Sequence, residues 1–165
     1  MNNYEFEFEE VYTKNSHLIY HIAYSYLKNS EDAKDIHQEV FFKYLSKKPK
    51  IKTLEEVKYW LVRVTINESI NLLNHKKRFN LEINDELINN LLVKEEANEE
   101  KILYALICDL EPKYKDIILL YYYDNMKTNE IAKLLKKKES TIRMRLHRAR
   151  NILKERMEEY ENGSK

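Results

Sequence analysis

At 165 residues, with one glycine, two prolines and one cysteine in the whole chain, the sequence excludes a large multidomain enzyme, glycine-rich phosphate loops, hairpin-rich sheets, a disulfide framework and any multi-cysteine zinc centre. The expected fold class is all-α. Formal charge totals only +1, so the total names no partner, but its distribution is uneven: net −5 over residues 1–42, +7 over 43–78, −6 over 79–100, −1 over 101–124, +8 over 125–157 and −2 over 158–165.

Two basic blocks separated by an acidic one suggest two contacts with a polyanion joined by a linker. The apolar spacing places the helices. Phe6, Phe8 and Val11 lead into a first helix carrying Leu18, Ile19, Ile22, Ala23 and Tyr26. A short turn at Lys28 to Ser30 follows, where Asn29 or Ser30 can cap a second helix, with Glu31 and Asp32 well placed in its first turn. The inward stripe of that helix is Ala33, Ile36, Val40, Phe41 and Tyr44. Asp32, Asp35, Gln38 and Glu39 then project from its other side as an acidic, amide-bearing ridge.

A polar, Pro49-containing loop from Ser46 to Thr53 separates this helix from one long helix over residues 54–78. Along the long helix Arg63, Asn67, Asn71, Asn74 and Arg78 recur at spacings of four, four, three and four and form one polar stripe. Asparagine is a poor helix former, so three on one face call for a reason. Their amides can hydrogen-bond base edges without repelling phosphate, and Arg63 with Lys76, Lys77 and Arg78 supplies attraction to the backbone. A merely solvated stripe is the alternative. Residues 79–100 read as an acidic connector with at most one weak helix around Glu86 to Val93. Helix resumes near Ile102 and is interrupted at Leu110-Glu111-Pro112. Two small helical domains are therefore expected, at 1–78 and 101–160, joined by a flexible linker at 79–100.

The most specific local pattern runs from Lys127 to Arg150 and follows helix-turn-helix grammar. Thr128 can cap its first helix, whose Ile131, Ala132 and Leu135 face inward; Ser140 or Thr141 can start the second. At about 100° per residue, Ile142, Leu146, Ala149 and Leu153 fall on one buried arc, opposite Arg143, Met144, His147, Arg148 and Asn151. Five of the seven arginines lie between Arg143 and Arg156, although lysine is otherwise the preferred cation. Planar guanidinium groups bind phosphate or guanine edges in a bidentate manner that lysine cannot reproduce. The competing account is an exposed basic helix making intrahelical pairs, for which only Glu139 and Glu155 are at hand.

Catalytic readings find little support. Of the five histidines only His17 and His21 share a helix at ligand spacing, with no intervening glutamate and no obvious third ligand. Cys108 lies in an apolar run that suits an inert, buried thiol. No metal, cofactor or catalytic residue is expected. Neither a basic-then-apolar leader nor a stretch near the ~18 apolar residues of a membrane span occurs, so a soluble cytoplasmic protein is expected.

With these residues in view, the chain resembles the bacterial RNA polymerase sigma-70 family, specifically the small extracytoplasmic-function (ECF) sigma factors. Asp32-Ala33-Lys34-Asp35-Ile36-His37-Gln38-Glu39-Val40-Phe41 is similar to the region two signature and is followed, in the family's order, by Trp60-Leu61-Val62-Arg63-Val64-Thr65-Ile66-Asn67 and Lys76-Lys77-Arg78. Leu110 to Lys115, Ile117 to Tyr122 and the helix-turn-helix resemble region four. The resemblance implies a non-catalytic specificity subunit of RNA polymerase. Asp32, Asp35, Gln38, Glu39 and Phe42 would meet the β′ clamp helices of the core enzyme, and the β flap is a second implied contact. Arg63, Asn67, Asn71, Asn74, Lys76, Lys77 and Arg78 would contact the minus-ten element, the loop from Lys47 to Thr53 receiving a flipped base. Thr141, Arg143, Met144, His147 and Arg148 would contact the minus-thirty-five element. By the same resemblance Trp60 is read as a core tryptophan rather than a stacking platform. The acidic linker would thread the channel that later carries RNA. Family members are often held inactive by an anti-sigma factor, which makes such a factor a further candidate partner.

Four positions depart from the pattern, among them Lys137, which stands where an apolar residue is common. Lys136 stands where the helix-turn-helix usually has glycine, so a positive φ there costs on the order of 1 kcal/mol and a different turn is expected; Asn71 and Asn74 replace residues that are often charged. Two other classes remain open on the residues alone: a polymerase-independent helix-turn-helix regulator, which would bind DNA as a dimer on a palindromic operator, and a helical protein-interaction module.

Overall fold

The computed structural model describes residues 6–79, 81 and 98–163. They form two compact units, divided between Asp85 and Glu86, and no strand occurs among the described residues. The first unit contains α1 (Phe8–Leu27), α2 (Ser30–Lys47) and α3 (Leu54–Arg78). Each of the three packs on the other two, around Val11, Ile19, Ile22, Ala23, Ala33, Val40, Val57, Leu61 and Val62. The expected bounds of the long helix hold at both ends. Local chemistry explains the starts: Asn29 Oδ1 accepts the Asp32 N–H at 3.0 Å and Thr53 Oγ1 accepts the Glu56 N–H at 3.1 Å, each satisfying a donor the helix itself leaves open. Trp60 is half-buried with its ring 6.0 Å from that of Tyr44.

The second unit contains α4 (Glu99–Cys108), α5 (Pro112–Ile118), a π-helical turn (Leu119–Tyr123), α6 (Thr128–Leu135) and α7 (Glu139–Gly163). α4, α5 and α6 all pack on α7, burying Ile117, Ile118, Leu119, Leu120, Ile131, Leu134, Ile142, Leu146, Ala149 and Leu153. Pro112 takes the first position of α5, where its missing N–H costs nothing. The connector lies mainly outside the described residues, including the weak helix expected around Glu86 to Val93. Its C-terminal end is already helical, since Asn98 Oδ1 accepts the Lys101 N–H at 2.9 Å and α4 starts at Glu99.

Four sequence expectations are corrected in the helix-turn-helix. Thr128 does not cap α6; it is the first helical residue, the cap position is Lys127, and the Glu130 carboxylate accepts the Lys127 N–H at 2.9 Å. Leu134 rather than Leu135 is fully buried beside Ile131, Leu135 being only partly covered. α7 begins at Glu139, ahead of Ser140 and Thr141. The turn keeps the geometry that glycine usually supplies: Lys136 sits at φ 55° and ψ 47°. The Lys137 N–H reaches the Ala132 carbonyl at 3.0 Å and the Lys136 N–H the Lys133 carbonyl at 3.3 Å, the two bonds of a Schellman ending.

Candidate functional site

On α2 the buried stripe turns Asp35, Gln38, Glu39 and Phe42 into solvent. Phe42 is 66% exposed and Leu45, three residues on, is exposed beside it in sequence, so an apolar tip continues the ridge of carboxylates and amide. Glu39 lies 3.6 Å from Lys43 Nζ. The Lys43 ammonium also donates to Glu68 on α3, and that hydrogen bond is the main reason its pKa is raised, securing the charge. Asp32 behaves differently from the rest of the ridge. It is half-buried in an ion pair with Lys76 of α3.

On α3, Asn67, Asn71, Asn74 and Arg78 are exposed and Arg63 is half-buried, so the polar stripe exists as one continuous face. The Arg78 guanidinium lies 5.8 Å from the Phe79 ring centroid. Lys77 flanks the stripe and is exposed. Lys76 is turned to the other side of the helix, as about 100° per residue dictates, and its charge is committed to Asp32.

On α7, Arg143, Met144, His147 and Arg148 are exposed and Thr141 is half-buried. Glu139 organises the N-terminal end, its carboxylate accepting from the Thr128 hydroxyl at 2.9 Å and from Arg143 Nη2 at 2.8 Å. One carboxylate thereby ties α6 to α7 and holds Arg143 in a fixed direction. His147 Nε2 is 3.3 Å from Asn151 Nδ2. Arg148 meets no ion-pair or hydrogen-bond partner among the described residues, which leaves its fork available for an external acceptor.

Sequence reasoning missed where two other arginines go. Arg150 lies over Tyr121 and Tyr122, 5.3 and 5.5 Å from their centroids, and its Nε donates to the Tyr122 hydroxyl at 2.6 Å. The π-helical turn orients these rings, and only the run Tyr121-Tyr122-Tyr123 hinted at it. Arg156 lies 3.6 Å from Asp109. These two guanidinium groups are engaged within the second unit.

The histidine pair on α1 is real: the Nε2 atoms of His17 and His21 are 3.1 Å apart. Burial first, and the neighbouring His17 second, lower the His21 pKa. Among the described residues no three metal-ligating side chains gather. Cys108 is buried. No described helix is long and apolar enough to cross a membrane.

Comparison with known proteins agrees with this division. Residues 11–79 match the family model for sigma-70 region 2 and residues 100–153 that for sigma-70 region 4. The chain is 32% identical over 136 residues to the RNA polymerase sigma factor SigV of Bacillus subtilis (strain 168), covering 82% of this chain and 81% of that one. It is 25% identical over 154 residues to the ECF RNA polymerase sigma factor SigW of the same organism, covering 84% and 82%. Among solved structures it is similar in fold to the sigma factor RpoE of Bartonella quintana, solved with the anti-sigma factor NepR, at a TM-score of 0.70 and 18% identity over 92% of this chain and 97% of that one. CnrH, solved with the cytosolic domain of CnrY, gives 0.67 and 18% over 92% and 87%. A region 2 unit, a region 4 unit and a relative that matches across both place the chain in the sigma-70 family, as an RNA polymerase sigma factor of the extracytoplasmic-function type acting in transcription initiation.

Proposed function

We propose that the chain is a non-catalytic subunit that works in the cytoplasm and divides its task between its two units. The first binds core polymerase through Asp35, Gln38, Glu39 and Phe42 and contacts the minus-ten region through Arg63, Asn67, Asn71, Asn74, Lys77 and Arg78. The second contacts the minus-thirty-five duplex through Thr141, Arg143, Met144, His147 and Arg148. Asp32 and Lys76, expected from sequence to touch separate partners, act by holding α2 and α3 together.

The observation that carries this reading is Phe42, a large apolar ring 66% exposed at the end of a carboxylate ridge. An apolar anchor ringed by charge is the composition of a protein-docking hot spot, with the charges setting register. The β′ clamp helices and, for the second unit, the β flap are the core surfaces that family membership supports, and an anti-sigma factor is a further partner by the same argument.

The test is reconstitution. Purified chain is mixed with core polymerase, the complex is isolated by gel filtration, and start sites are mapped by run-off transcription. Stable association with redirected initiation is expected. A chain that binds duplex DNA as a dimer and leaves polymerase start sites unchanged would instead be a polymerase-independent regulator.

A further inference from the structure

The helix-turn-helix turn contains a charge arrangement that folding does not explain. Lys136, Lys137 and Lys138 are all exposed, and none has an ion-pair partner among the described residues. Acidic groups stand on either side, but both are engaged elsewhere: the Glu130 carboxylate holds the Lys127 N–H, and Glu139 holds Thr128 and Arg143.

Helix electrostatics account for part of this run and oppose the rest. Lys136 follows the C-terminus of α6, where a cation is favoured by the exposed carbonyls. Lys138 immediately precedes Glu139, the first residue of α7. There the unpaired N–H groups make the environment positive, so a lysine is disfavoured and an anion is attracted. Lys136 also holds a left-handed conformation, φ 55°, that glycine adopts at lower cost. The turn is thus less stable than its geometry allows, in a place where positive charge accumulates with no ion-pair partner among the described residues to meet it.

We propose that Lys136, Lys137 and Lys138 form a backbone clamp for duplex DNA, receiving phosphates next to the N-terminus of α7. The proposal rests on the minus-thirty-five reading of α7. In helix-turn-helix docking the second helix enters the major groove by its N-terminal residues while the first crosses the backbone, which brings the intervening turn to the phosphates at the groove edge. Lysine suits this task because a compact point charge needs no bidentate geometry. The clamp supplies sequence-independent attraction, while the arc around Arg148 supplies base contacts.

The experiment uses holoenzyme assembled from the full chain and core polymerase on a promoter duplex defined by its mapped start site, with affinity measured as a function of salt. Lys137→Gln/Lys138→Gln is compared with Lys14→Gln/Lys113→Gln, which removes two lysines already beside Glu10 and Glu111, and with Arg148→Ala. Each phosphate contact contributes about 0.9 to the slope of log affinity against log salt, so the turn double variant should flatten it by roughly 2 and the control pair by about 0. Lys136→Gly should raise the thermal midpoint while flattening the slope by about 1; a purely structural lysine would give the first effect without the second. If the turn variants match the control pair while Arg148→Ala weakens promoter binding, the clamp is overturned and the minus-thirty-five reading stands. If Arg148→Ala also leaves binding unchanged, both are overturned.

Discussion

Lys76 in the last turn of α3 and Asp32 in the first turn of α2 form an ion pair with 16% and 21% of their side chains exposed. The pair joins two helix ends of opposite polarity. Each charge therefore also complements the dipole of its own helix, Lys76 at a C-terminus and Asp32 at an N-terminus. Partial burial lifts such a pair above the near-zero contribution of exposed ones, and removing one partner leaves the other charge poorly solvated. Asp32→Ala and Lys76→Ala should each lower the stability of the first unit by about 1–2 kcal/mol, with a coupling of roughly 0.5–1.5 kcal/mol in the double-mutant cycle. Urea unfolding followed by circular dichroism measures it. Strict additivity would mean that the pair contributes nothing. In transcription, Lys76→Ala should disturb promoter opening less than Arg78→Ala, whose side chain stays with the exposed stripe.

Phe42 offers a cleaner test of core docking, because a side chain 66% exposed can be truncated without opening a cavity. Phe42→Ala should leave thermal unfolding within about 0.5 kcal/mol and weaken association with core polymerase by about 2 kcal/mol or more, roughly thirtyfold. Asp35→Arg should weaken it as well, by reversing a charge that sets register. Fluorescence anisotropy of labelled chain titrated with core enzyme reads both. Wild-type affinity in both variants would remove the α2 ridge from the interface.

Much of this organisation is legible in the sequence because helical periodicity is a local property. The stripe Ala33, Ile36, Val40 and Phe41 is buried as expected, and it alone turns Asp35, Gln38 and Glu39 outward. The arc of Ile142, Leu146, Ala149 and Leu153 is likewise buried, which exposes Arg148. Long-range partner choice is not local, and there the sequence is silent. Lys76 and Asp32 stand 44 residues apart and Arg150 and Tyr122 stand 28 apart; nothing in spacing says that these groups find partners inside the protein. Lys136 illustrates a third case. Propensity disfavours a left-handed lysine, but the Schellman hydrogen bonds and the packing of α6 on α7 fix the turn regardless.

Arg143 and Arg148 of α7 should differ in their effects although both are exposed. Arg143 already donates to Glu139 at 2.8 Å, so its charge is partly answered before DNA arrives. Arg148 has no such partner among the described residues. Arg148→Ala should reduce promoter-specific transcription by a factor equivalent to about 1–3 kcal/mol, with core binding intact. Arg143→Ala should cost less and should also loosen the Glu139 link between α6 and α7. Run-off transcription on the mapped promoter, with parallel core-binding measurements, separates them. Equal losses would show that Glu139 does not attenuate Arg143.

His37 gives the first unit a pH dependence whose sign is fixed by its surroundings. The ring packs among Tyr12 and Phe41, 5.7 and 5.0 Å between centroids, and Nε2 lies 2.9 Å from Ser16 Oγ. Burial lowers its pKa below the ordinary 6.5, and a hydrogen bond with the Ser16 backbone only partly offsets that. A folded-state pKa below the unfolded one means that the unfolded chain binds more protons in the interval between them, so stability rises with pH there. The neutral ring's contribution is complete above about 6.5 and is lost as pH falls from that value toward the folded pKa. His21, lowered by burial and by His17, adds a dependence of the same sign. Thermal midpoints should therefore decline between about pH 7 and 5, and His37→Gln should flatten that decline while leaving the region above pH 7 level. Circular dichroism melts across this range measure both chains, and an undiminished slope in His37→Gln would assign the effect to other groups.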